Sequence, residues 1–475
     1  MSSLPDKEKA FFEWYNEVLE RSFMTDKRYP VKGSNVWTPF GFSVLRQMDR
    51  LIREKVEPLG YQETIFPTLI PETEMQKEAK HIKGFNEEVY WVTHGGKTQL
   101  DVRLALRPTS ETAMYPMFAL WVRSHKDLPL RVYQIQNVFR YETKTTRPFI
   151  RVREIHFYEG HTVQLGEPEA DAQVKADLDS FNAITRALCL PHLTDKRPEW
   201  DKFPGAYYSI ACEYLVGGNK TLQIGTVHHY KDNFAKPFGI GYEDKDGARQ
   251  SPHQTTYGIS ERLLGAVVAC HGDERGLVWP SAVAPIQVVI IPIPKESDMA
   301  SVLAYSEDVR QKLSSGGFRV ALDSSDERPG AKYYAWELKG VPLRLEIGPR
   351  EMNENAVTVV NRLKDKAKIS CEDLCGNVRK ELEKFDTALL AKATAAFHGR
   401  LRITMEQNEL SDNIVSLVGW CGSEECGKKV EEGREVSLLG TLEDFGPLSD
   451  RGGNPPPCIM CSNETTQWAV VGRPL

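Results

Sequence analysis

Phe139-Arg140-Tyr141-Glu142, followed by Arg151 and later by Ser260-Glu261-Arg262, gathers arginines and carboxylates that could do polar chemistry. Arginine grips phosphate oxygens with a planar, two-pronged fork and keeps its charge. Three arginines around one pocket would suit a polyphosphate. Read as a strand, residues 132–142 alternate: Tyr133, Ile135, Phe139 and Tyr141 point one way, and Gln134, Gln136, Arg140 and Glu142 the other. The run 149–161 puts Arg151, Phe157, Glu159 and His161 on a single face. Two neighbouring strands would then present arginines, carboxylates and a histidine on one wall. The competing reading is a solvated strand face with surface ion pairs, because charged side chains are mostly exposed.

A second cluster is metal-like. Cys421 and Cys426, then Cys458 and Cys461, form two close pairs on glycine- or proline-bearing turns. A tetrahedral four-thiolate zinc site needs such pairs, and four thiolates leave no open position for catalysis. Reduced free thiols remain an alternative, and in a cytosolic chain two disulfides are the weaker explanation. Cys371 and Cys375 are also close but have no second pair, and Cys189, Cys212 and Cys270 are isolated, as reduced core residues would be.

The elements that must position these residues follow from the apolar pattern. At 475 residues the chain has room for roughly two to four domains. No apolar run approaches a membrane span and residues 1–9 are polar, so a cytoplasmic protein is expected. Helical spacing predicts a helix over 42–56 and another over 108–122, with Thr109 or Ser110 at its start and Glu111 in its first turn. Residues 65–71 read as a strand interrupted by Pro67, fit for an edge or an interface. Alternating segments around 130–160, 221–228 and 254–268 predict a mainly antiparallel sheet with helices on one side. No G-x-G-x-x-G run is present, and the G-K-T at 96–98 lacks the glycine five residues earlier that a P-loop needs, so neither a dinucleotide fold nor a P-loop is indicated. From 285 to 385 short apolar strands alternate with a helix over 299–313, the pattern of a separate α/β domain. The net charge of −6 requires any nucleic-acid contact to come from a local basic patch. Arg362, Lys364, Lys366 and Lys368 are the best candidate run, although from that run alone a solvated loop is the better explanation.

Taken in order, these signatures resemble those of class II aminoacyl-tRNA synthetases: residues 33–71 with Phe66-Pro67 near their end, Phe139-Arg140-Tyr141-Glu142 through Arg151, and Gly258-Ile259-Ser260-Glu261-Arg262. Arg107-Pro108-Thr109-Ser110-Glu111-Thr112, Glu159-Gly160-His161, Gln223-Ile224-Gly225-Thr226 and His271-Gly272-Asp273-Glu274-Arg275 resemble the prolyl-tRNA synthetase family of the archaeal/eukaryotic-like type. The resemblance covers essentially the whole chain. It implies an α+β fold: a class II antiparallel sheet core with helices over 1–284, an α/β anticodon-binding domain over 285–385 and a small C-terminal zinc-binding α/β domain over 386–475. It implies an aminoacyl-tRNA ligase that joins L-proline, activated by ATP, to tRNA(Pro), with Mg²⁺ on the phosphates, a structural Zn²⁺ on Cys421, Cys426, Cys458 and Cys461, and a homodimer with no membrane contact.

The same resemblance implies residue roles. Arg140 and Arg262 would be catalytic. Thr109, Glu111, Arg140, Phe157, Glu159, His161 and His228 would hold proline. Arg140, Glu142, Arg151, Gln223, Thr226, Ser260 and Arg262 would hold ATP. Three departures stand out: Phe157 replaces the family's usual tryptophan, Val227 its usual serine, and the last residue is leucine where many relatives place a tyrosine. Only about 100 residues separate His161 from Arg262, too few for the core strands plus an editing domain of ~100–150 residues. A chain ending near Pro285 is expected to retain proline activation. Other class II enzymes, threonyl- or histidyl-like, and an inactive synthetase-like binding module are the rival readings.

Overall fold

The structure, a computed structural model, describes residues 3–77, 88–444 and 453–475. Among these residues the main sheet has eleven strands. Its centre is antiparallel: Leu193–Lys196, Tyr208–Val216, Lys220–Lys231, His253–Ser260, Glu154–Gln164 and Leu130–Phe139 pair in that spatial order. The helices Pro39–Val56, Glu167–Ala187 and Arg262–His271 pack apolar stripes against it, burying Val44, Met48, Ile52, Phe181, Ile184, Leu264 and Val267. The Pro39–Val56 helix starts three residues before the spacing predicts, because Thr38 caps it by accepting from the Gly41 N–H. Gly41 itself must lack a side chain, since a Cβ there would lie 1.9 Å from the Met24 carbonyl oxygen.

Of the strand expected over 65–71 only Leu69–Pro71 forms, and a second short piece precedes it. Gln62–Glu63 adds in parallel to the edge strand Leu130–Phe139, and Leu69–Pro71 joins a separate three-stranded sheet. Pro67 cannot donate to a ladder, so the chain leaves one sheet and enters another around it. The helix Glu111–Trp121 follows with Ser110 at its cap and Glu111 in its first turn.

The α/β unit forms a five-stranded sheet in which Val288–Pro292 pairs in parallel with Val320–Leu322 and Leu343–Ile347. Ala356–Asn361 and Lys366–Ser370 close it antiparallel. The basic run lies here, and each of its members is tied to a carboxylate. Arg362 is buried, forks onto Asp273 at 2.9 and 2.6 Å and also donates to the Leu277 carbonyl. Lys364 pairs with Glu337, Lys366 with Glu346 at 3.5 Å, and Lys368 with Glu354. The run is an ion-pair ladder rather than an open basic patch.

The boundary expected at 385 falls inside one continuous helix, Leu374–Gly399. Its Leu374, Val378 and Leu382 pack in the α/β core, Phe385 and Leu389 lie against Cys189 and Val278, and Phe397 enters the main core. The C-terminal strands then complete the main sheet. Ser437–Asp444 pairs with Leu193–Lys196, and Trp468–Pro474 reaches Lys220–Lys231 through Lys220 and Thr221. Leu439, Trp468 and Val470 share a core with Ile224 and Leu193. Ending the chain near Pro285 would strip these strands from the sheet and expose that core, so a stand-alone catalytic half is no longer expected.

Candidate active site

One face of the central strands floors a cavity of about 470 Å³. The register explains which residues meet there. Phe157 lies opposite Gln136 and Ser260, Glu159 opposite Gln134 and Gly258, and Gly258 opposite Thr226. These positions alternate on their strands, so Phe157, Glu159, Thr226 and Ser260 project to the same side. Gly258 keeps the floor flat, because a Cβ there would sit 3.0 Å from the Phe157 ring.

At one end stand Arg140, Arg151 and Arg262. Each is held through part of its guanidinium. Arg140 Nε donates to the Pro108 carbonyl at 3.1 Å, and Arg262 Nε to the Ile150 carbonyl at 2.8 Å. Arg151 spans Glu142 (3.0 Å) and the main-chain oxygen of Leu475 (2.9 Å). The final residue therefore reaches the cavity wall even though it is not a tyrosine. Arg140 lies just past its strand, with its N–H still bonded to the Arg153 carbonyl, and Arg151 lies in the linking loop before the next strand. Burial and the charges of Arg140 and Arg151 lower the Arg262 guanidinium to about 10. It stays charged at neutral pH, and the crowding of like charges is what a bound polyanion would relieve.

At the other end sit two buried carboxylates, Glu111 and Glu159. The Thr109 hydroxyl lies 2.6 Å from Glu111 and 2.8 Å from Glu159, Tyr230 donates to Glu111 at 2.9 Å, and the Ser110 hydroxyl bonds Glu159. A threonine hydroxyl has one proton to give, so one of its two contacts needs the proton of a carboxyl group. Burial and the charge of Glu111 push Glu159 up to about 7, so this carboxyl takes up a proton more readily than an ordinary one. Arg107 fixes the preceding turn by donating to the carbonyls of Asn137 and Phe66, both at 2.9 Å.

Thr109, Glu111, Arg140, Glu142, Arg151, Phe157, Glu159, Gln223, Thr226, His228, Ser260 and Arg262 all line the cavity. His161 does not. It lies behind the wall, fully buried, with Nδ1 3.2 Å from the Tyr115 hydroxyl. Its strand position shares the face of Glu159, but the helix Glu111–Trp121 covers that end through Tyr115. Burial lowers His161 and His228 alike to about 4, so both rings are neutral at physiological pH. The pattern of residue types missed Glu88 and the segment carrying Arg197, Trp200, Lys202 and Phe203, which forms another side of the cavity. That segment has no periodicity, and only its proline-bounded mix of aromatic and charged residues sets it apart.

An antiparallel sheet with arginines at one end of a floor cavity and an acidic corner at the other defines a class II aminoacyl-tRNA synthetase core. Residues 90–271 match the family described as tRNA synthetase class II core domain (G, H, P, S and T), 287–381 the anticodon binding domain, and 407–474 the C-terminal domain of prolyl-tRNA synthetase. The chain is 51% identical over 474 residues to a proline–tRNA ligase of Thermococcus kodakarensis, covering 98% of this chain and 97% of that one. It is 50% identical over 477 residues to that of Methanosarcina mazei, covering 99% and 98%. The solved prolyl-tRNA synthetase of Giardia lamblia, in complex with prolyl-adenylate, superposes with a TM-score of 0.94 at 32% identity over the whole of both chains. The chain belongs to the prolyl-tRNA synthetase family.

Proposed function

We propose that the cavity binds L-proline and ATP, joins them as prolyl-adenylate with release of pyrophosphate, and passes proline to the 3′ end of tRNA(Pro). The observation that carries this reading is the pairing of a three-arginine end with a two-carboxylate end across one cavity. Proline offers a carboxylate and a secondary ammonium, and ATP offers a polyphosphate. Attack of the proline carboxylate on the α-phosphate, in line with the departing pyrophosphate, needs positioning and charge neutralisation more than a side-chain acid or base. Arg140, between Pro108 and the cavity, holds both reacting anions. Arg151 and Arg262 hold phosphate and the adenine side, with Glu142, Gln223, Thr226 and Ser260 completing the nucleotide seat. Glu111, Glu159 and Thr109 receive the ammonium, while Phe157 and His228 wall the ring and His161 supports that wall from behind. Mg²⁺, when bound with ATP, shares the phosphate charge.

The pH dependence follows from Glu159. Below about 7 its carboxyl is protonated and the acidic corner carries one less charge. Above that value it ionises and attracts the ammonium more strongly. kcat/KM for proline should therefore rise as pH passes about 7 and level off above it. Glu159→Gln should remove the step, and an unchanged step in that variant would reject the assignment. Proline-dependent pyrophosphate exchange is the assay.

Cys421, Cys426, Cys458 and Cys461 bring their sulfurs within 4.8 Å of one another, and none of the chain's nine cysteines is in a disulfide. Cys421 and Cys461 lie 3.8 Å apart at sulfur. Tetrahedral zinc with bonds of about 2.3 Å sets its thiolates at about that spacing. Burial raises the Cys458 thiol, but the N–H groups of Cys461 and Met460 outweigh it and bring the thiol down to about 7. These residues fit one structural Zn²⁺. Metal analysis of the purified protein should find one zinc per chain, lost in Cys458→Ser, and a well-folded wild type without zinc would contradict this.

The domain over 287–381 supports anticodon recognition, with base edges read by side chains at strand ends. Ile65, Leu69, Leu120 and Trp121 are exposed near the first signature, an apolar patch that fits a homodimer contact. Among the described residues no helix is long and apolar enough to cross a membrane. A need for ATP and tRNA supports a cytoplasmic setting.

A further inference from the structure

Trp200 belongs to two sites at once. It lines the cavity, and its ring is packed into the apolar cluster that contains Cys426 and Cys458. Its neighbours there adjoin two of the four thiols. Trp420, next to Cys421, meets it edge to face with centroids 6.1 Å apart. Gly427, next to Cys426, presents no side chain to it, and a Cβ on Gly427 would fall 2.3 Å from the Trp200 ring. The Trp200 indole N–H is buried without a partner, so packing alone seats the ring.

From Trp200 contacts run to the acidic corner. A turn closes through Asp201 and Lys202, whose N–H groups both donate to the Pro198 carbonyl at 3.0 Å. Phe203 follows, with its N–H on the Ser209 hydroxyl and its ring 4.9 Å from His228 and 5.9 Å from Tyr230. The Tyr230 hydroxyl donates to Glu111. We propose that Trp200 is a positioning residue that ties the wall of the proline seat to the four-cysteine cluster, so that zinc on the cluster sets the affinity for proline. The proposal rests on the reading of the cavity as a proline site. Zinc then acts at a distance through packing. Ordering Cys421 and Cys426 orders Trp420 and Gly427, and these fix the segment 197–204.

Gly427→Ala tests this without touching a thiol or the cavity, since the new methyl group must displace the Trp200 ring. The variant should keep one zinc per chain and its kcat, while KM for proline rises about tenfold, about 1.4 kcal/mol of binding. Trp200→Ala should raise KM at least as much, and Trp200→Phe should recover most of the loss. Gly427→Ala placed in the Trp200→Ala background should add nothing, because the ring it displaces is gone. Hydrogen exchange of the full chain supplies a readout independent of the substrate. Removing zinc with a chelator should accelerate exchange at amides 199–203 and leave the strand Leu130–Phe139 unchanged. A wild-type KM in Gly427→Ala, additive effects in the double variant, or exchange at 199–203 indifferent to zinc would each overturn the proposal. If exchange responds to zinc but the wild type shows no proline-dependent activity, the coupling stands and the proline reading fails.

Discussion

Alanine at Arg140 is expected to lower proline-dependent pyrophosphate exchange by on the order of 3–5 kcal/mol, roughly two to three and a half orders of magnitude. The guanidinium is pinned to the Pro108 carbonyl at 3.1 Å, directly before Thr109, and lines the cavity at its arginine end. It is therefore placed to hold the α-phosphate and the attacking carboxylate together, two anions that repel each other until a cation lies between them. Its loss removes a contact that strengthens as charge develops, so kcat should fall with kcat/KM. Arg140→Lys should restore only part of the rate, because an ammonium keeps the charge but not the fork. Thermal unfolding of both variants separates this outcome from a folding defect. Exchange within tenfold of wild type in Arg140→Ala would remove Arg140 from the reaction.

Glu111→Ala is expected to raise KM for proline, with a loss of about 2–4 kcal/mol in kcat/KM. Two effects add. In the proposed reading the secondary ammonium loses a carboxylate acceptor, and the Tyr230 and Thr109 hydroxyls lose their bonds of 2.9 and 2.6 Å in a buried corner. KM for ATP should change far less, since the arginines lie at the other end of the cavity. Glu111→Gln should recover the hydroxyl contacts but not the charge, so a variant falling midway separates the two contributions. Equal losses for proline and ATP would show that the substitution had disturbed the whole cavity.

Much of the site was legible because its residues sit at regular spacing on strands or inside short motifs. Phe157, Glu159 and Ser260 project together because the period of a strand is two, and Glu111 faces the cavity because Ser110 starts a helix there. Arg140 and Arg151 were found for a less direct reason. They stand on the loop between strands rather than in the strands, and what brings them together is the Arg140 N–H donating to the Arg153 carbonyl and Glu142 pairing with Arg151. His161 shows where periodicity stops being informative: it has the face of Glu159 but is overlaid by Tyr115 from a helix more than forty residues earlier. Arg362, Lys364, Lys366 and Lys368 looked basic because their carboxylate partners, Asp273, Glu337, Glu346 and Glu354, are remote in sequence or lie on other elements. The merging of the C-terminal strands with the catalytic sheet was not legible at all. Strand pairing between Leu193–Lys196 and Ser437–Asp444 depends on backbone groups that carry no trace in the side-chain pattern.

The acidic corner, the arginine end and the cavity between them make one claim about chemistry: this protein activates proline, and no other amino acid comparably well. ATP–pyrophosphate exchange measured with each of the twenty amino acids in turn, without tRNA, tests that claim most directly. Strong exchange is expected with proline and only weak exchange with small side chains such as alanine, because the missing ring atoms forfeit about 1–3 kcal/mol of pocket contact. Exchange driven best by threonine, histidine or any other amino acid, or no exchange with any of them in a well-folded preparation, would contradict it.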